Sequence, residues 1–436
     1  MPFGFTPENP DDPENSHNPF EFNNFNEIFR QFSGIGLNIQ GLLASLSGQS
    51  NPNTLSKQMI RDISRKFLSA HGEQPVSVSE LNAIREAFNI ADLWLNDATI
   101  FPPMAIPEIC AISRRDWIET TLTGWEEIAQ PLVEGINSAM SQMLNENLGE
   151  GDQPLTELGI PGMNISKSGI ASIMGTFMSS LISTQLGQTI GQLSTSVTGA
   201  NDVAMPLATP AWPYLIPQNL RAWGEGLEID ETEIRIYLAL RELAAARLFN
   251  AAPWLRTYIK ESIAKYGKGI HVDITAITQQ AQDAISSGEI DPSNPESLSL
   301  ALSGGMFTPE ESDAQRAALE KLETVLALVE GWIDAVVERA ANNRLPSILR
   351  LRETQQRRRA TNSPTQQLFA SLVGLEVSPR KMREAMAFCQ KIVELQDVAF
   401  RDRIWEEAFL LPTSDQLLNP EEFIKSRIVP DDLSSL

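Results

Sequence analysis

The sequence predicts a mainly α protein, on three observations. Helix-start signals recur almost without a break after the first thirty residues, apolar residues return at helical rather than alternating spacing, and strand-like runs are nearly absent. At 436 residues, 42% of them hydrophobic and 21% charged, the chain is long enough to bury a large core.

The elements follow in order. Residues 1–30 are rich in Pro, Asn, Asp and Glu, with Phe3, Phe5, Phe20, Phe22 and Phe25 spread through them. So little apolar surface cannot offset the cost of ordering, and a loosely docked arm is expected, pinned at most by its phenylalanines. Ser77 and Glu80 open a run through Leu81, Ile84, Phe88 and Leu95, and Asp230 and Glu233 have the form of a capping box before Ile234, Tyr237 and Leu240. Thr308-Pro309-Glu310-Glu311 places Pro at the first helical position ahead of the stripe Leu319, Leu322, Val325, Leu326, Val329, Ile333 and Val336, which predicts the longest helix over 309–342. Ser363-Pro364, Ser378-Pro379 and Asn419-Pro420 give further starts of the same kind. The best strand candidate is Gly269–Ile274, a short element that would not change the class.

Breaks are expected at 149–162, where glycines and prolines gather, at 204–217, which holds four prolines, and a softer one at 283–309. No internal repeat is evident. The expected organisation is the arm over 1–30, one large helical domain over 31–425 with lobes 31–205 and 218–425, and a tail over 426–436.

Bulk charge narrows the function. With a formal net charge of −22, the long-range field repels phosphate, which argues against nucleic acid or an anionic membrane as a general partner. The basic cluster Arg344, Arg350, Arg352, Arg357, Arg358, Arg359, Arg380, Lys381 and Arg383 reads first as a solvated helix face, next as a surface paired with acidic groups of the arm or of a partner, and last as a local nucleic-acid contact. The segment 165–197 approaches membrane length, but Lys167 and Gln185, Gln188 and Gln192 favour a small-residue helix packed inside the protein. Two distant cysteines, Cys110 and Cys389, form neither a disulfide framework nor a metal spacing. The N-terminus lacks a basic region followed by an apolar run, so a cytoplasmic protein is expected.

The chemistry-bearing feature is Arg241-Glu242-Leu243-Ala244-Ala245. Two histidines four apart on a helix lie about 6 Å apart on one face and can hold one zinc, while the glutamate after the first deprotonates the metal-bound water. Here the glutamate is present and neither histidine is. His17, His71 and His271 are the only histidines in the chain, so no helical two-histidine site can be built.

Around this degenerate motif lie the block from Tyr237 to Pro253-Trp254-Leu255-Arg256, then Leu328-Val329-Glu330-Gly331-Trp332-Ile333-Asp334, Arg357-Arg358-Arg359-Ala360-Thr361, Leu368 to Leu375, Pro379 to Arg383 and Leu411-Pro412-Thr413. Together they resemble a bacterial zincin-like family whose members carry the label zinc-dependent metalloprotease or hydrolase, with one branch associated with deazaflavin-cofactor biosynthesis. The resemblance covers nearly the whole chain. It implies that Glu242 matches the general base, Glu330 the third zinc ligand and Asp334 a residue supporting that ligand, with Arg241 and Ala245 at the positions of the two histidines. It implies zinc in members that keep the histidines and none here.

The expected function is therefore that of a catalytically degenerate zincin-like protein acting through contacts with a protein partner, with Arg241 pairing Glu242 or Glu330 where the metal would sit. Two alternatives stay open: an active metal-dependent hydrolase using carboxylate ligands such as Glu242, Glu330 and Asp334, and a purely structural or scaffold protein.

Overall fold

A computed structural model describes residues 54–148, 167–269, 312–373 and 380–427. The helices are α1 (Lys57–His71), α2 (Val78–Leu95), α3 (Arg114–Leu148), α4 (Lys167–Ser194), α5 (Pro217–Gly224), α6 (Glu231–Ala251), α7 (Trp254–Gly267), α8 (Asp313–Ala341), α9 (Ile348–Asn362), α10 (Pro364–Val373), α11 (Arg380–Leu395), α12 (Val398–Arg403), α13 (Ser414–Leu418) and α14 (Pro420–Arg427), with a 3-10 turn over Ala408–Leu410. Among the described residues there is no strand; Leu215 makes two isolated bridges, parallel to Ala111 and antiparallel to Gly199. The mainly α expectation holds. Residues 270–274 of the strand candidate lie outside the described residues, as do 1–53 and most of the tail.

Local chemistry sets most helix starts. Ser77 and Glu80 form the full reciprocal capping box of α2, and Pro364 and Pro420 open α10 and α14 as expected. Two expected starts differ. Residues 308–311 lie outside the described residues, and the capping box of α8 is Ser312 with Gln315, an S-x-x-Q signal of equal strength four residues further on. At α6 Asp230 accepts from the Thr232 N–H, but Glu233 does not return the bond to its own cap; its Oε2 accepts from the Ser347 N–H, so a tertiary donor outcompetes the local one.

Helix α6 is buried on nearly every face from Ile234 to Phe249, which makes it the axis of the molecule. It packs against α2 and α8, and α8 in turn against α7 and α11. α4 packs on α1 and α3, and its small residues permit that approach: a methyl group at Gly187 or Gly191 would crowd Ile63 or Phe67. A continuous apolar core runs from Leu55 to Ile424, with Trp117, Trp125, Trp332 and Trp405 fully buried in it. Cys110 and Cys389 are both buried and unbridged. No helix among the described residues is long and apolar enough to cross a membrane.

The non-helical segment 195–216 positions the site. It folds back on itself so that Ala200 N–H donates to Tyr214 O and Ile216 N–H to Thr198 O, while Leu215 exchanges bonds with Cys110 and Ile112. The result is a strap of turns and bends whose Asn201, Ala211 and Tyr214 backbone N–H groups bond side chains of α6.

Candidate functional site: a buried carboxylate and arginine cluster

Arg241 and Glu242 are neighbours on α6, so their side chains leave the helix about 100° apart and meet different surroundings. Both are buried, with 6% and 4% of their surface exposed. One faces α8; the other faces the strap.

Arg241 reaches α8. Its Nη2 donates to Glu330 Oε2 at 2.7 Å and its Nη1 to Asp334. Glu330 and Asp334 are one turn apart, so one planar fork spans both carboxylates. Glu330 is itself only 5% exposed, and its other oxygen, Oε1, pairs with Arg359 of α9 at 3.0 Å. Arg359 Nη2 also takes Asp202 Oδ1 and the Asp202 carbonyl, both at 2.6 Å. Asp202 completes a local loop by accepting from the Thr198 N–H at 2.8 Å and hydroxyl at 3.0 Å. Two guanidiniums thus interleave with three carboxylates from α8 and the strap.

Glu242 lies apart from these cations. Its oxygens accept from the Asn201 N–H at 3.0 and 3.1 Å, the Asn201 side-chain amide at 2.8 Å and the Tyr214 N–H at 3.2 Å. Room for the carboxylate exists because position 199 is glycine; a Cβ there would collide with Glu242 Oε2 and the Tyr214 carbonyl. Gly199 is anchored in turn by Trp117, whose Nε1 donates to its carbonyl at 3.1 Å.

The electrostatics follow from burial. Glu242 is pushed up from 4.5 to about 8, because desolvation outweighs the backbone donors Tyr214 and Asn201, and Asp202 adds repulsion. Glu330 is also raised, with burial opposed by Arg359 and Arg241. Arg241 is held above its ordinary value: burial disfavours its charge, but Asp334, Tyr237 and Glu330 more than compensate.

The cavity shared by these groups is lined by Thr198, Asn201, Asp202, Arg241, Glu242, Ala245, Glu330 and Arg359 among others, and its free space is about 10 Å³. That is the lower limit for one water molecule and far below a peptide side chain. Arg241 Nε and Arg359 Nε are both buried without an acceptor, the kind of demand a single water satisfies.

Zinc does not fit these residues. A zinc site takes four N, S or O donors; positions 241 and 245 offer a permanent cation and a methyl group. Every oxygen of Glu330 faces a guanidinium, and Glu242 is enclosed by donors of the strap. Among the described residues no three His, Cys, Asp or Glu side chains converge to hold a metal ion.

Of the residues singled out from sequence, Arg241, Glu242, Ala245 and Glu330 line this one cavity, and Asp334 joins through Arg241. Asn201, Asp202, Tyr214 and Arg359 were not singled out as site residues. The first three carry no periodicity, being in a loop, and Arg359 was hidden in a basic cluster that reads as a solvated face. That cluster is largely spent internally: Arg344 pairs with Asp97, Arg352 with Glu338, Arg358 donates to the Trp223 carbonyl and Arg350 to that of Leu227.

Fold and site together define a helical protein with a buried cluster of carboxylates and arginines between α6, α8, α9 and the strap. The sequence matches the zincin-like metallopeptidase family over residues 56–424, and the chain belongs to that family. Its fold is also similar to that of a "putative hydrolase with a novel fold" from Chloroflexus aurantiacus, with a TM-score of 0.55 at 18% identity, covering 86% of this chain and 100% of the other. No curated protein matches the sequence.

Proposed function

We propose that this chain is a catalytically degenerate member of the zincin-like family, which binds no zinc and works through protein contacts. The observation that carries the proposal is Arg241: at the position of the first histidine, its guanidinium spans Glu330 and Asp334 and supplies the positive charge that a divalent ion would supply. Arg359 doubles that charge from the other side of Glu330. Glu242 keeps the place of the general base, but its oxygens are engaged by Asn201 and Tyr214 and its cavity has no room for a substrate carbonyl. Hydrolysis through Glu242, Glu330 and Asp334 as metal ligands would require displacing both arginines. The protein-contact role rests on the retention of a whole folded frame around a closed site.

Elemental analysis of protein purified without chelator and then dialysed against zinc tests the reading. The native chain is expected to hold far less than one zinc per molecule, and stoichiometric zinc at this site would restore the hydrolase alternative. A variant carrying Arg241→His and Ala245→His is expected to gain zinc affinity. Adding Arg359→Met should strengthen it further by releasing Glu330.

A further inference from the structure

A groove of about 580 Å³ opens between two non-helical segments, 73–77 leading into α2 and 109–113 leading into α3. That is within the ~300–1,000 Å³ typical of ligand sites. Its walls are largely apolar: Val76 and Leu81 are half-buried, while Val78 and Ile109 stand 74% and 65% exposed.

Ala111 is the informative residue, lining the groove although only 3% exposed. It forms a parallel bridge with Leu215, in which the Ile112 N–H donates to Leu215 O at 2.9 Å and the Leu215 N–H to Cys110 O at 3.0 Å. In such a bridge the neighbours carry both bonds, so the N–H and C=O of Ala111 itself point away from Leu215. Among the described residues neither has a hydrogen-bond partner. Val76, on the facing wall, is in the same position. Main-chain groups this well buried are rarely left unpaired, and an edge of this kind is completed by an extended chain running alongside it.

Charge at the rim selects the occupant. The ionisable residues of the lining are Glu73 and Asp116. Glu73 is held by the Arg115 N–H and Nε, but the exposed Asp116 uses only Oδ2, which accepts from the Ser113 N–H and hydroxyl. Both neighbouring helix N-termini are already capped, α2 by Ser77 with Glu80 and α3 by Ser113 with Asp116, so neither calls for an anion. Residues 1–53 of this chain, with Arg30 as the one basic residue against six acidic ones, have the wrong charge for this rim.

We infer that this groove binds an extended, basic and apolar peptide segment of a partner protein, which pairs its backbone with Ala111 and Val76. Its apolar side chains meet Val78 and Ile109, and a lysine or arginine meets Asp116. The net charge of −22 favours encounter with such a partner. The groove supplies a surface for the protein-contact role proposed above but shares no residue with the Arg241 cluster, so zinc content and peptide binding fail independently.

Fluorescence polarisation with the full chain tests it, using the labelled, end-capped hexapeptide Val-Lys-Val-Lys-Val-Lys. One control is N-methylated at its valines, which keeps the charge but blocks one hydrogen-bonding edge; another has Glu in place of Lys. The first peptide is expected to bind, and both controls at least tenfold more weakly. Binding should also fall at least tenfold in the Val78→Ser, Ile109→Ser double variant, whose substitutions are exposed, change no charge and should leave the melting temperature unchanged. Four results would overturn the inference: no binding of the lysine peptide, equal binding of the N-methylated one, equal binding of the glutamate one, or undiminished binding by the double variant.

Discussion

Glu242 is the residue whose surroundings make the sharpest prediction. Its folded-state pKa is raised to about 8 from 4.5, so the fold keeps it neutral where the unfolded chain would ionise it. The unfolded state then binds fewer protons between those values. Its contribution to stability is fully present below about pH 4.5 and is lost as pH rises toward 8, at up to about 1.4 kcal/mol per pH unit. Urea unfolding of the Glu242→Gln variant should therefore show a flatter decline from pH 5 to pH 8 than the native chain. Equal slopes would mean that the carboxylate is ionised in the fold. Arg359 gives a second test: Arg359→Met leaves Glu330 and Asp202 short of a partner and should cost about 3–5 kcal/mol. Arg350→Ala on the same helix, losing an exposed bond to the Leu227 carbonyl, should stay within about 0.5 kcal/mol. Because Arg241 and Arg359 share Glu330, a double-mutant cycle between them should show a coupling of about 0.5–3 kcal/mol.

At the scale of elements, close helix approach depends on a few glycines. Gly331 follows Glu330 on α8, and a Cβ there would lie 2.5 Å from the Met386 N and 2.7 Å from the Ala385 carbonyl carbon of α11. Backbone cannot move aside as a side chain can. Gly331→Ala should force α8 and α11 apart and cost about 1–3 kcal/mol, seen as a lowered midpoint in denaturant unfolding. The same change would tilt Glu330, so native-like stability would show that the two helices can slide without loss. Helix boundaries were legible wherever the signal is local: Ser77 with Glu80, Pro364 and Pro420 need only neighbours in sequence. Glu233 was not, because the donor that takes its carboxylate is 114 residues away.

For the whole molecule, the net charge of −22 is the dominant long-range term. Most internal ion pairs are short and some are buried, so salt screens them less than it screens the diffuse repulsion among surface carboxylates. The melting temperature should rise as ionic strength increases from about 0.01 M to 0.15 M, where the screening length falls from about 30 Å to 8 Å. A falling midpoint in differential scanning calorimetry would show that surface pairs, not net repulsion, govern the charge term.

The sequence alone determined the helical class, written in residue types at short, fixed spacing, and the family, written in blocks that keep their order over nearly the whole chain. It also pointed to Glu242, Glu330 and Asp334 through blocks of residues that keep their order along the chain. Only the tertiary structure decided what surrounds them. The arginine that braces Glu330 from α9 and the strap that encloses Glu242 are distant in sequence, 157 residues separating Arg359 from Asp202, and no periodicity connects them. A buried charge is compatible with folding only when its partners arrive together, and which partners arrive is a property of how the helices pack.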